Sequence, residues 1–146
     1  MRLNEESLET LIVRQMVEGG WEQGSAGEYD PAYAVDLNQL TEFIETTQPD
    51  LAEALSLREA TASRREFLSR LQGEITRNGV VHVLRNGVDH RQHHVDFFYP
   101  KPTPGNTKAT ELFAANRFTV TRQVHYSATG AGLSLDLVAF ANGLPL

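Results

Sequence analysis

The clearest feature of the hydrophobic pattern lies near the end of the chain. Leu133, Leu135 and the run Leu137-Val138-Ala139-Phe140-Ala141 form a short apolar stretch, with Gly130 and Gly132 before it and Asn142-Gly143 after it. That reads as a buried strand bounded by turns. One residue does not fit, Asp136. Upstream, the period is helical. Asn4 is placed to cap a first helix running to about Glu18, with Gly19-Gly20 as its stop. Leu8, Leu11, Ile12, Met16 and Val17 share a broad apolar face at about 100° per residue, and Glu9 falls inside it. Residues 21–34 read as a loop anchored by the lone Trp21. Asp36-x-x-Gln39 is a capping box for a helix with Leu37, Leu40, Phe43 and Ile44 inward. Pro49 starts the next segment, Asp50 to Leu57. Ser63-x-x-Glu66 is a second capping box, opening a helix to about Asn78 with Phe67, Leu68, Leu71 and Ile75 inward and Gly79 as the stop.

The period then changes. Val80-Val81-His82-Val83-Leu84 leads into Asn86-Gly87, a two-residue hairpin signal, and His93 to Tyr99 is the expected returning strand. Pro100, Pro102, Pro104 and Gly105 make a rigid loop, and a short helix is expected over about Thr107 to Ala115. Arg117 to Tyr126 alternates as a strand and is the expected antiparallel neighbour of the Asp136 strand. The order is helices first, then a mixed and mainly antiparallel sheet with one more helix. That is an α/β chain with an α+β-like order. Asn142-Gly143 is also a hairpin signal, yet only Leu144-Pro145-Leu146 follow it. The expectation is one domain over residues 1–146, cut inside a sheet and incomplete at its C-terminus.

Composition narrows the function classes. A chain of 146 residues can bury roughly 70% of its unfolded surface. The formal net charge of −6 gives no general attraction to nucleic acid or to an anionic membrane. With no cysteine there are no disulfides and no thiolate metal sites. No run is long and apolar enough to span a bilayer, and acidic residues follow Met1 where a signal peptide needs an apolar stretch. The expected location is the cytoplasm.

Several groupings invite chemistry. Asp89, His90, His93 and His94 are close together, but no two match a helical i, i+4 zinc pair, and alternation in a hairpin puts His93 and His94 on opposite faces. They read as polar hairpin residues. Ser127, His125 and Asp136 lack the Gly-x-Ser-x-Gly elbow of a hydrolase. No Gly-x-x-x-x-Gly-Lys loop is present to cradle a nucleotide phosphate. Asp136 differs, because a carboxylate in an apolar strand must recover its lost hydration. It is either paired, with Arg122 or with backbone amides, or a ligand for a hard divalent cation that prefers carboxylate oxygens. Glu9 also has two readings. It is a rim carboxylate whose stem packs while its head reaches water, or a carboxylate aimed inward as a second ligand. Two carboxylates, on a strand and a helix, suit Mg²⁺-assisted hydrolysis of a phosphodiester.

A resemblance adds what spacing cannot supply. Residues 115–127, Ser134-Leu135-Asp136-Leu137-Val138 and Asn142-Gly143-Leu144-Pro145-Leu146 resemble the N-terminal nuclease domain of the restriction (R) subunit of type I restriction enzymes. Residues 43–49 and 83–88 fit the same family, so the resemblance covers most of the chain. It implies a restriction-endonuclease-like core of the PD-(D/E)xK superfamily. In that family an Asp on one strand, and a Glu-x-Lys on the next just after Asn-Gly-Leu-Pro, hold Mg²⁺ and orient water. Asp136 matches the Asp, and Glu9 matches the glutamate that a first helix often adds. No Glu-x-Lys follows Pro145 here. The resemblance further implies a parent enzyme that cuts unmodified double-stranded DNA, with ATP consumed in a separate motor region. Its partners are the methylation and specificity subunits, and the 146-residue chain alone is expected to be inactive. The competing reading is a non-catalytic docking domain with Asp136 as a paired structural residue.

Overall fold

A computed structural model describes the backbone of residues 5–125 and 134–146 and the side chains of residues 8–122 and 137–146. Helix α1 (Glu5–Glu18) runs where expected and ends at Gly19-Gly20; its Asn4 cap lies outside the described residues. Its burial departs from the expected face. Leu8, Leu11, Ile12 and Val17 are exposed, and the covered line is Glu9 and Val13, one turn apart. The helix lies against the sheet along one narrow stripe, so the remainder of its broad apolar arc meets solvent. Trp21 then turns the chain over. Its N–H donates to the Met16 carbonyl at 3.0 Å, and its ring lies 5.6 Å from that of Phe118.

The segment expected to be a loop carries short pieces of structure. β1 (Glu22–Gln23), a 3₁₀ turn (Ala26–Glu28), β2 (Tyr29–Asp30) and β3 (Val35–Asp36) precede α2 (Leu37–Thr47). Asp36 caps α2 as expected, its Oδ1 accepting the Gln39 N–H at 3.1 Å. The second half of the capping box is absent. Gln39 instead accepts from Arg117 Nε at 2.6 Å, and the Asp36 N–H donates to the Gly143 carbonyl at 2.8 Å. α3 (Pro49–Leu55) follows, and then α4 (Ala62–Asn78), whose cap is Thr61 rather than Ser63. Thr61 is in extended backbone and its hydroxyl accepts the Arg64 N–H at 3.2 Å, so the helix starts earlier than the Ser63-x-x-Glu66 box suggests.

The largest correction concerns residues 80–87. They are a helix, α5 (Val80–Asn86), not the first strand of a hairpin. An apolar run this short fits either period. Helical spacing wins because Val83 is buried and Val80 and Leu84 pack against the core, while Val81 is 57% exposed. Gly87 ends that helix, and the hairpin moves downstream to β4 (Val88–His90) and β5 (His93–Val95), turning at Arg91-Gln92. The returning strand therefore stops at Val95, not Tyr99. α6 (Thr107–Ala114) forms where the short helix was expected, and Asn106 caps it, its Oδ1 accepting the Ala109 N–H at 3.0 Å.

β6 (Phe118–His125) and β7 (Ser134–Ala141) pair antiparallel, from Phe118 opposite Ala141 to His125 opposite Ser134. β8 (Leu144–Pro145) returns beside β7, and β1 adds parallel to β6, giving the order β1-β6-β7-β8. The chain is α/β, with helices ahead of a mixed, mainly antiparallel sheet. Its main core lies among α2, α3, α4 and the 88–97 segment, around Phe43, Phe67, Phe97 and Leu71.

The β7–β8 turn fixes one end of this sheet. Asn142 and Gly143 both have positive φ, 52° and 86°, which a two-residue hairpin of this hand requires. Asn142 is fully buried. Its Oδ1 accepts the Arg117 N–H at 2.5 Å, and its Nδ2 donates to the Phe97 carbonyl at 2.8 Å and to Asn116 Oδ1 at 3.1 Å. A Cβ on Gly143 would come within 2.6 Å of both the Asp36 carbonyl oxygen and the Leu40 nitrogen, so the turn is seated directly on the start of α2.

Candidate functional site

The two carboxylates singled out from the sequence lie on elements that the fold brings to one sheet. Asp136 is in β7, an interior strand in the sheet order; its side chain lies outside the described residues. Ser127 lies outside them as well. Glu9 is on α1, buried, and faces β6. There its Oε2 is 3.3 Å from Arg122 Nη2. Its burial rules out the rim carboxylate whose head reaches water. The short link through Gly19, Gly20 and Trp21 folds α1 back over β6, and this brings together two residues far apart in sequence.

The pair is asymmetric. The Glu9 side chain is 9% exposed and that of Arg122 28%. Contact is through one guanidinium nitrogen at 3.3 Å, not the two-pronged fork that makes an arginine–carboxylate pair strong. Arg122 lines a depression of about 270 Å³ with Thr10, Val13, Arg14, Glu18 and Gln23. One cation of the site is therefore at a solvent-facing rim while the anion is sunk beneath it. Sequence reasoning offered Arg122 as a partner for Asp136. Its pairing with Glu9 was not foreseen, because only the tertiary fold puts the two together.

The opposite layer of the sheet is polar where a core is expected to be apolar. Thr119 and Thr121 are buried, and among the described residues their hydroxyl oxygens have no hydrogen-bond partner. Gly24 crosses directly over Thr121, and its own N–H donates to the Val120 carbonyl at 2.9 Å; a Cβ there would collide with the Thr121 hydroxyl. Asp36 lies alongside, and burial is the main reason its carboxyl pKa is pushed above the usual range.

The histidine cluster is a hairpin clasp. β4 and β5 place His94 opposite Asp89, with Nδ1 2.7 Å from Asp89 Oδ1 and Nε2 3.2 Å from Asp96 Oδ1. The Asp89 contact is the first cause of its raised pKa. His90 turns the other way, packing edge-on at 5.8 Å from Phe67, and burial lowers its pKa. Among the described residues no three His, Asp or Glu side chains are grouped to hold a metal. A second depression, about 350 Å³, lies between residues 27–31 and Arg58 and Arg64. Its arginines are already engaged, Arg58 by Glu45 at 2.6 Å and Arg64 by the Leu57 carbonyl at 3.3 Å.

As a donor, the Glu9 carboxylate fits a hard divalent cation, which takes oxygen ligands. That carboxylate lies 3.3 Å from the Arg122 guanidinium. No helix among the described residues is long and apolar enough to cross a membrane. No curated protein and no solved structure matches the chain. The family model described as type I restriction enzyme R protein N terminus matches residues 2–146.

Proposed function

Since the chain belongs to the family of type I restriction enzyme R protein N termini, we propose that it is the N-terminal part of the nuclease domain of such a subunit. The substrate is unmodified double-stranded DNA, and the reaction is hydrolysis of its phosphodiester backbone. The observation that carries this reading is the family match over nearly the whole chain, together with an Asp in the interior strand β7 and a buried Glu on the helix laid across its neighbour.

Asp136 and Glu9 are the residues proposed to hold Mg²⁺. When bound, the ion lowers the pKa of a ligated water and stabilises charge developing on the phosphate. The chain's own part is to keep its anionic groups at fixed positions, Glu9 by burial on α1 and Asp136 by the pairing of β7 to β6. ATP-driven translocation belongs to a motor region of the R subunit outside these residues. The methylation and specificity subunits are the proposed partners, and the cytoplasm the proposed location.

The test uses a full-length R subunit carrying this N-terminal chain. Asp136→Ala and Glu9→Gln are each expected to remove most DNA cleavage while leaving ATP-driven translocation intact. Cleavage at the parent rate in both variants sinks the assignment. A purified 146-residue chain, which has no Glu-x-Lys, is expected not to nick plasmid DNA with Mg²⁺.

A second reading has its own observations. The Glu9–Arg122 pair serves equally as a structural pin, and Leu8, Leu11 and Ile12 leave an apolar face of α1 exposed. Under that reading the chain is a non-catalytic docking domain, and the two substitutions change assembly with the other subunits rather than cleavage.

A further inference from the structure

A formal net charge of −6 opposes duplex DNA over most of the chain, so its approach is favoured where carboxylates are missing. The corner between α4 and α5 is such a place. Between Glu74 and Asp89 the sequence has no acidic residue, and it holds Arg77, His82 and Arg85. Gly79 makes the corner. Its φ of 88° suits glycine, and its N–H donates to the Ile75 carbonyl at 2.8 Å, so α5 starts with no loop after α4. A Cβ at Gly79 would meet nothing within 4 Å, which leaves the corner open to solvent. Arg77, in the last turn of α4, and Arg85, on α5, are both exposed. Among the described residues neither guanidinium has an ion-pair or hydrogen-bond partner. The acids that bound the stretch are engaged elsewhere. Glu74 takes Arg70 at 2.6 Å and Asn78 at 3.0 Å, and Asp89 contacts His94 at 2.7 Å.

We infer that the α4–α5 corner is a docking surface for the sugar–phosphate backbone of duplex DNA, with Arg77 and Arg85 each taking a phosphate. This rests on DNA being the substrate, as proposed above, and adds a contact outside the α1–β6 region. The chemistry favours a phosphate backbone over an acidic protein surface. A guanidinium carries five N–H donors in a fork that suits phosphate oxygens, and at both positions that fork is unspent. A protein partner wants an apolar centre, and on this stretch Val81 is the one large apolar side chain that stands out, at 57% exposure. The backbone under the two charges is fixed, because Leu71 and Val83 are buried in the core and Ile75 and Leu84 pack against it. Such contacts hold the duplex in place and carry no sequence information.

The experiment reads binding, not cleavage. The 146-residue chain is titrated against a short fluorescent duplex at several low salt concentrations, and binding is followed by anisotropy. Arg77→Gln and Arg85→Gln are each expected to lower the slope of log affinity against log salt by about one, and the double variant by about two. A fourfold rise in salt should then cost the parent chain roughly tenfold more affinity than it costs the double variant. Lysine at either position keeps a cation for the phosphate and should hold the parent slope. Val81→Glu sets a carboxylate one turn before Arg85 and should weaken binding, whereas Val81→Gln should not. Arg65→Gln removes the same charge at the far end of α4, where Glu66 adjoins it in sequence, and should leave the slope unchanged.

Circular dichroism and the unfolding midpoint check that each variant is folded, and Val81→Glu carries the test if a glutamine variant unfolds. A parent slope in the double variant overturns the inference. An equal drop in Arg65→Gln overturns it too, since total charge would then be all that matters. So does a parent chain that fails to bind duplex at low salt. If that chain instead binds polyglutamate through Arg77 and Arg85, the corner belongs to an acidic protein partner. Each of these outcomes leaves Asp136 and Glu9 to be judged separately, by cleavage in the full-length subunit.

Discussion

The two ends of the β6–β7 pair are held in different ways. At the turn end, Asn142, Gly143, Asp36, Gln39 and Arg117 make a closed set of contacts in which the backbone of α2 and the hairpin interlock. At the other end, α1 rests on β6 through a thin stripe, with one single-pronged ion pair and most of its apolar residues outside. The first arrangement over-determines a geometry; the second joins a buried carboxylate to a partly exposed guanidinium through one nitrogen. A sheet anchored at one end can carry adjustable chemistry at the other without losing its register. The proposed site residues are on the loosely held side.

Substitutions measure that contrast. The largest effect is expected for Gly143→Ala, where the new methyl meets Asp36 and Leu40 backbone at 2.6 Å and the φ of 86° disfavours any side chain. Chemical denaturation should show a loss of roughly 3 kcal/mol or more, as for other backbone-strain and overpacking changes. A loss below 1 kcal/mol would mean that the turn is not the rigid end.

Thr121→Val should go the other way, because it removes a buried hydroxyl that has no partner among the described residues and keeps the shape. A gain of about 1 kcal/mol is the expected denaturation result. A loss would show that the hydroxyl is satisfied.

Asp36→Asn is expected to have a smaller effect that depends on pH, since the Gln39 N–H and the Arg117 charge already offset part of the burial. Its carboxyl pKa is raised in the folded chain above the ordinary 3.8, so the folded state holds the proton more tightly than the unfolded one. This residue's contribution is thus fully present below about pH 3.8 and is lost as pH rises through the folded value. Asparagine keeps the helix cap and has no charge to bury. Stability curves of parent and variant against pH should therefore diverge above pH 4, the variant being flatter. Parallel curves would contradict the burial argument.

The smallest effect belongs to the outward face of α1. Leu11→Gln, at 42% exposure, should change stability by less than about 0.5 kcal/mol. A large loss would show that this face is covered in solution and bring the two ends of the sheet closer to parity.

The features legible in the sequence were those decided locally. Helix ends at Gly19-Gly20 and Gly79, the Asp36 cap, the Pro49 start, the β6–β7 pairing and the Asn142-Gly143 turn are each written in two to four neighbouring residues. The misread stretch, residues 80–87, is too short for its period to show, and only packing against the core chose helix over strand. The outward turn of Leu8, Leu11 and Ile12 was illegible for a related reason. A periodic face says which residues travel together, not how much of the face a partner will cover. Of the candidate site, residue types and strand context were readable, and the resemblance to the R subunit family agrees with the match over residues 2–146. The Glu9–Arg122 contact was not, since it depends on how a two-glycine link folds a helix over a strand a hundred residues away.

The Asn142-Gly143 pair also bears on how the chain ages. Asn-Gly is the dipeptide most prone to deamidation, through attack of the glycine nitrogen on the asparagine side-chain carbonyl carbon. At Asn142 that side chain is held by three hydrogen bonds in a fully buried turn, so the reaction must wait for the turn to open. Asn78-Gly79 and Asn86-Gly87 are the same dipeptide in exposed settings, each at the end of a helix. Storage damage should therefore collect at residues 78 and 86 first. Conversion of Asn142 to a carboxylate would follow unfolding, aim negative charge at the Phe97 carbonyl and Asn116 Oδ1, and make refolding the step at which an old sample fails.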